Sequence, residues 1–122
     1  MMFSVEPVWE LLSRHLDACM LRQAVYSSNI ANASVPGYQP LEVDFESQLR
    51  SASALLQAAP AEAGDLLQTI QPQIVRAPVA SVELDQQLAL MSQNALQYQQ
   101  LLRAFERSIG LLRLAVLEGK ES

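Results

Sequence analysis

Two apolar stripes, each stepping alternately by four and three residues, constrain this chain more than any other feature. In the first, Val5, Trp9, Leu12, Leu16, Cys19, Gln23, Tyr26, Ile30 and Ala33 follow one another in that rhythm, with Gln23 the single polar member. In the second, Leu84, Leu88, Met91, Ala95, Tyr98, Leu102, Phe105, Ile109, Leu112 and Val116 keep it with no polar member. A mean repeat of 3.5 residues is the seam of a coiled coil, because it holds one face of a slightly underwound helix against its partner. Segments 5–33 and 82–117 are therefore predicted as helices of about 43 Å and about 54 Å. The expected fold class is all-α: an elongated, coiled-coil-like antiparallel hairpin of N- and C-terminal helices, with a short helix and loop inserted between them.

The boundaries follow from local chemistry. Ser4 is a candidate N-cap and Pro7 falls in the first turn, where its missing N–H costs nothing. Val35-Pro36-Gly37-Tyr38 ends the first helix, because proline disfavours helical backbone in the residue before it. Pro at the second position and Gly at the third predict a type II turn. Residues 43–59 read as a short amphipathic helix through Phe45, Leu49, Ala52 and Leu56, with Asp44 as cap and Pro60 as stop. Residues 60–80, with Pro60, Pro72, Pro78 and Gly64, read mostly as loop, with an extended piece over 70–76. Ser81, Glu83 and Asp85 make an acidic helix start, and Gly119 and Lys120 suit a helix end. The chain is thus one domain, 1–122: an N-terminal helix and turn (5–35), an insert of short helix and Pro-containing loop (36–80) and a C-terminal helix (81–118).

A hairpin of this kind buries one seam per helix. The residues expected to pack between helices and between subunits are Trp9, Leu12, Leu16, Leu88, Met91, Tyr98, Leu102, Phe105, Ile109, Leu112 and Val116. Leu111, Leu114 and Leu117 add apolar surface off the seam, and a helix apolar on several sides has to be covered on several sides. Nothing left within the chain covers that surface, so a subunit completed by neighbours is expected. Composition fits: charged residues make up 17% of the chain, and thirteen Gln supply uncharged polar surface that repels copies weakly.

The same composition excludes several function classes. The net charge is -5, and the seven Arg and one Lys are scattered, so there is no basic stripe for nucleic acid or for an anionic membrane. The longest apolar stretch, 109–117, contains Arg113 and is far short of the ~20 residues a bilayer needs. The first fifteen residues have no basic start and no apolar run, so no cleavable signal peptide is expected. A single His15 and a single Cys19, four apart on one helical face, fall short of a metal ligand set. As a nucleophilic pair they lack an orienting group, and Cys19 lies in the apolar seam, where a thiol is inert. Glu42, Asp44 and Glu46 read as a solvated acidic edge, because paired-carboxylate chemistry needs a cleft that moves one pKa. The four glycines are isolated, so no phosphate loop exists. No cofactor, metal or small-molecule substrate is expected, and the chain does not read as an enzyme.

One segment is more specific. Residues 28–40, Ser-Asn-Ile-Ala-Asn-Ala-Ser-Val-Pro-Gly-Tyr-Gln-Pro, resemble the signature at the end of the first helix of the bacterial flagellar axial proteins, the rod and hook subunits. That signature runs roughly N-x-A-N-x-x-T-P-G-Y. Residues 44–49, 82–85, 94–99 and 111–116 are similar to the proximal-rod branch of the same family, and the resemblance spans about two thirds of the chain. Val35 stands where the family usually has Thr, and Ser81 and Gln87 stand for its usual Asn and Glu; residues 60–80 match nothing in it. The resemblance implies an assembly motif of Asn29, Ala31, Asn32, Pro36, Gly37 and Tyr38. It implies a subunit exported by the flagellar type III apparatus and polymerised helically into a hollow periplasmic rod, with the paired terminal helices lining the tube. The implied partners are other copies, other rod proteins, the adaptor FliE and the export-gate proteins. Two readings compete: a non-polymerising coiled-coil adaptor or secretion chaperone, which leaves the Asn-Ala-Asn and Pro-Gly-Tyr cluster unexplained, and a small enzyme using Cys19 and His15.

Overall fold

A computed structural model describes residues 6–121; the proposed cap Ser4 and the seam residue Val5 lie outside them. Four helices, α1 (Glu6–Ala31), α2 (Glu46–Ala58), α3 (Pro60–Thr69) and α4 (Leu84–Glu121), take up more than two thirds of the chain. Two four-residue strands, β1 (Leu41–Asp44) and β2 (Gln73–Arg76), form a small antiparallel sheet with Leu41 opposite Arg76 and Asp44 opposite Gln73. The fold is all-α and hairpin-like, as the stripes predict.

α1 packs against α4. Asn29 bonds across to Gln87, while Cys19 and Gln23 bond across to Asn94. Position falls along α1 as it rises along α4, so the two helices are antiparallel.

The line of α4 least exposed to solvent runs through Gln87, Met91, Asn94, Tyr98, Leu101, Phe105 and Ser108. It keeps the 4–3 rhythm of the predicted seam and shares Met91, Tyr98 and Phe105 with it. At alternate positions, however, it is shifted by one residue: Gln87, Asn94 and Leu101 replace Leu88, Ala95 and Leu102. Hydrophobicity alone selects the neighbouring set, whereas the fold places amides in the seam because α1 supplies their partners.

The buried core lies on another face of α1, against the insert. Ala18 of α1 meets Phe45, Ala52 and Ile70, with Leu11, Leu49 and Leu66 packed around them. The insert departs from its sequence reading in three places. Residues 41–44 are a strand, as the alternation of Leu41 and Val43 with Glu42 and Asp44 permits. α2 consequently starts later, with Phe45 rather than Asp44 at its N-cap position; the Asp44 carboxylate instead accepts the Ser47 hydroxyl at 3.2 Å. Residues 60–69 are helix rather than loop. Pro60 opens α3 at its first turn, where a fixed φ is already helical, and Ala61, Glu62, Ala63 and Leu66 are helix formers. The extended piece within 70–76 is β2. At the other end, α4 starts at Leu84, three residues beyond Ser81, and continues through Gly119 to Glu121.

Candidate functional site

The turn after α1 and the first strand converge on one side chain. Asn29 is fully buried, in the last turn of α1. Its Nδ2 donates to the Leu41 carbonyl at 2.9 Å and to Gln87 Oε1 at 3.0 Å. Its Oδ1 accepts the Tyr38 hydroxyl at 2.8 Å and the Leu41 N–H at 3.1 Å. All four hydrogen-bonding positions of the amide are thus filled. Because it takes both backbone groups of Leu41, Asn29 acts as a strand partner on the edge of β1 away from β2. One residue thereby ties α1, the turn, the sheet and α4 together.

The rest of the motif shapes the chain path. Asn32 donates twice to the Ser28 carbonyl, from its backbone N–H at 3.0 Å and from its side-chain Nδ2 at 2.8 Å, which closes the last turn of α1. Gly37 has φ of +78°, and the Tyr38 N–H donates to the Val35 carbonyl at 3.2 Å. A positive φ at the third position with that hydrogen bond is the type II turn. The turn swings Tyr38 back so that its hydroxyl reaches Asn29 and lies 3.4 Å from Ser28 Oγ. Ala31, Pro36 and Gly37 are exposed, and Val35 is half exposed.

Gln39 and Pro40 extend the motif in a way the sequence reading missed. Ala77 N–H donates to the Pro40 carbonyl at 2.9 Å, continuing the sheet, but Pro40 has no N–H to return. Gln39 Nε2 fills the gap, donating to the Ala77 carbonyl at 3.1 Å. At the far end of the sheet, the Gln48 side chain pairs with both backbone groups of Gln71, at 2.9 Å and 3.3 Å. Amide side chains thus bracket the sheet at both ends.

Asn94 forms a second buried polar point in the α1–α4 seam. Its Nδ2 donates to the Cys19 carbonyl at 2.7 Å and to Gln23 Oε1 at 2.9 Å. Its Oδ1 is buried and has no hydrogen-bond partner among the described residues. Gln23, the polar exception in the first stripe, was the signal for such a pair, because a seam glutamine needs a polar group opposite.

The packing residues divide between two environments. Trp9, Leu12, Leu16, Met91, Tyr98, Phe105 and Ile109 are half-buried. Leu84, Leu88, Leu102, Leu112 and Val116 are exposed, with fractions from 36% to 49%. Beyond Ile109 every described side chain is exposed, and Leu111, Leu114 and Leu117 exceed half.

The residues weighed for chemistry are structural. The His15 ring meets the Phe45 ring edge-on, with centroids 5.2 Å apart and planes at 81°. Burial pushes its pKa down, nearby Glu46 opposes that, and Arg22 adds to it. Cys19 is buried, and burial pushes its thiol up, away from the reactive thiolate. Glu46 is exposed, as a solvated acidic edge requires, and its carboxylate also pairs with Arg22 of α1. Among the described residues no group of three or more His, Cys, Asp or Glu converges to hold a metal, and no helix is long and apolar enough to cross a membrane.

Comparison with known proteins identifies this arrangement. The flagellar basal body rod protein FlgB of Escherichia coli is 30% identical over 106 residues, covering 72% of this chain and 77% of that protein. The chain belongs to the FlgB family of flagellar basal body rod proteins. FlgB of Yersinia enterocolitica is 59% identical over a shorter stretch of 29 residues, 24% of this chain and 21% of that protein. FlgB of Borreliella burgdorferi is 46% identical over 39 residues, 32% of this chain and 29% of its own. The wider pattern of the flagella basal body rod proteins matches residues 16–39. For this FlgB family member, that match runs from Leu16 through Asn29 and the type II turn to Gln39.

Proposed function

We propose that this chain is a structural subunit of the flagellar basal body rod, acting at its proximal end. In this reading it polymerises helically with copies of itself and with other rod proteins to form the hollow drive shaft. Its other partners are FliE and the export-gate proteins, and it reaches the periplasmic rod through the flagellar type III apparatus without a cleavable signal peptide. Membership of the FlgB family supports a structural role in the rod and not an enzymatic one.

The observation that carries the assembly reading is the surplus apolar surface of α4. Leu88 and Leu102 stand one residue round the helix from the seam, and Leu112 and Val116 lie beyond it; all four are exposed. Burying one such leucine fully is worth about 1.5–3 kcal/mol, and a run of them at helical spacing suits another helix. The exposed stripe supports contact with neighbouring subunits, while the buried amides hold the hairpin in register.

Leu102→Asp tests this directly. Leu102 is exposed, so the purified variant is expected to keep its helix content and urea midpoint. In cells lacking the native copy, the same variant should fail to build rods and to swim, because a carboxylate on the stripe loses several kcal/mol if a neighbour buries it. Swimming that survives Leu102→Asp but is lost with Cys19→Ala refutes the structural reading. Export of a variant that never enters fibres or basal bodies, native copy included, favours a non-polymerising adaptor.

A further inference from the structure

The outer edges of the small sheet differ. On β1 the edge is taken, because Asn29 accepts the Leu41 N–H and donates to the Leu41 carbonyl. In an antiparallel pair, a residue whose backbone groups point outward lies opposite another that does the same, and the next pair along points inward. Leu41 lies opposite Arg76, so the Arg76 N–H and C=O face out of the sheet on the β2 side, and so do those of Ile74. The Ala77 N–H keeps the alternation, donating inward to the Pro40 carbonyl. Odd-numbered residues from Gln71 to Ala77 thus turn their backbone toward β1 or toward the Gln48 and Gln39 side chains. Even-numbered residues turn theirs to the free edge, where among the described residues no hydrogen bond reaches Ile74 or Arg76. A row of unpaired backbone groups is a template for another strand.

We infer that Pro72, Arg76 and Pro78 close this edge against strand addition. The outward-facing series is Pro72, Ile74, Arg76 and Pro78. Both prolines fall where a missing N–H takes nothing from the β1–β2 ladder but denies a hydrogen bond to an incoming strand. A second copy laid antiparallel about Val75 would set its Arg76 opposite Ile74 and its Pro78 opposite Pro72. Only the pairs of Ile74 with Arg76 would bond, half of what a series with every N–H present would make. In the next register along, Arg76 would face the Arg76 of the copy, and like charges directly opposite are destabilising. Arg76 is exposed and has no ion pair among the described residues, so an incoming strand would have to cover an uncompensated charge. Ile74, half exposed, is the one β-branched member of the series, the kind of side chain that favours pairing. β2 is four residues long, below the usual strand length of about five or six. Association of copies is thereby turned away from the sheet. The inference concerns the single chain and holds whether or not that chain enters a rod.

Disulfide trapping across the edge tests it. Val75→Cys is placed, in a Cys19→Ala background, in the chain with its native edge and in a chain also carrying Pro72→Thr, Arg76→Val and Pro78→Thr. In the antiparallel pairing about Val75, position 75 of one copy faces position 75 of the other with Cα atoms about 4.5 Å apart, within disulfide reach. Both purified chains are oxidised gently at equal concentration. The expected result is a dimer band without reductant that forms roughly tenfold faster in the chain with the opened edge, because each added backbone hydrogen bond strengthens the pairing. Adding Ile74→Lys to that chain should return it to the native-edge rate, since a charge on the edge blocks pairing. Equal rates for native and opened edges overturn the inference. So does a fast rate that Ile74→Lys leaves unchanged, because the copies then meet elsewhere. Far-UV circular dichroism checks folding; should the triple change lower helix content, Arg76→Val with Pro78→Thr takes its place, with the same outcomes expected.

Discussion

Replacing Asn29 by Asp changes one group and no volume, and its cost can be worked out bond by bond. Both acceptor bonds survive, since a carboxylate still receives the Tyr38 hydroxyl and the Leu41 N–H. Both donor bonds go. Gln87 can turn its own amide to donate, but the Leu41 carbonyl, 2.9 Å away, loses its donor and faces a second oxygen. A buried acceptor left without a partner costs about 1–3 kcal/mol. The site is fully buried, so an ionised carboxylate there adds a desolvation cost. Together these predict a loss of about 3–5 kcal/mol at pH 7.5. With a urea m-value of about 1–3 kcal/mol/M, the midpoint falls by roughly 2 M.

The pH dependence separates this account from a general loss of packing. Burial raises the folded-state pKa of the new carboxyl above its unfolded value of about 3.9. The folded state therefore binds the extra proton more tightly. The deficit is largest above the folded pKa, shrinks as pH falls through it, and is smallest below the unfolded value. Once protonated, the carboxyl can donate to Leu41 again. The assay is urea unfolding followed by far-UV circular dichroism at pH 7.5 and pH 5, with the native chain measured beside the variant. An Asn29→Asp chain within about 0.5 kcal/mol of native at pH 7.5 refutes the hub. So does a gap between variant and native chain that widens in acid.

Three further outcomes follow from the same geometry. Gly37→Val meets no atom within 4 Å at the added Cβ, so its cost is the positive φ alone, about 1–2 kcal/mol; secretion should persist while swimming is lost, and near-normal swimming refutes the positioning role of the turn. His15 has a depressed folded pKa, so the stability it contributes is complete above pH ~6.5 and is lost as pH falls through that value toward the folded one; His15→Gln should flatten urea midpoints between pH 7.5 and 5.5, and an unchanged slope counts against it. Asn94→Leu should lower the urea midpoint less than Asn29→Leu, because Asn94 Oδ1 is already buried unpaired whereas every Asn29 bond is filled; equal losses refute the ranking.

The two helices were legible in the sequence because a 4–3 stripe sustained over four heptads fits the turn of a helix and clashes with the two-residue repeat of a strand. The turn was legible for the same kind of reason, since Pro36-Gly37 leaves little conformational choice. The seam of α4 was half legible. Apolar periodicity finds Met91, Tyr98 and Phe105, but it scores Gln87 and Asn94 as surface, although the fold half-buries Gln87 against Asn29 and buries Asn94 against Gln23. Nothing local marks a buried amide; its partner lies 58 or 71 residues away. The sheet was hidden for a related reason. Four-residue strands carry little periodic signal, and β1 gains its second neighbour from a side chain of α1 rather than from a strand. In α3, Pro60 was ambiguous, because the same residue that stops one helix is well suited to start the next.

The division between amides and leucines has a physical logic. A hydrogen bond is directional and contributes only about 0.5–1.5 kcal/mol net, but leaving it unmade inside a protein costs more. Asn29, Gln87, Asn94 and Gln23 therefore penalise any slip of α4 along α1 while adding modest stability of their own. Apolar contact is non-directional and grows with area, so leucines would hold the hairpin more tightly and specify its register less. Placing amides in the internal seam leaves Leu84, Leu88, Leu102, Leu112 and Val116 outside it, exposed on the single subunit. Among the described residues no other element covers them. On the proposed reading, a subunit built this way takes its internal register from the amides and leaves these apolar residues of its longest helix for contacts with neighbours.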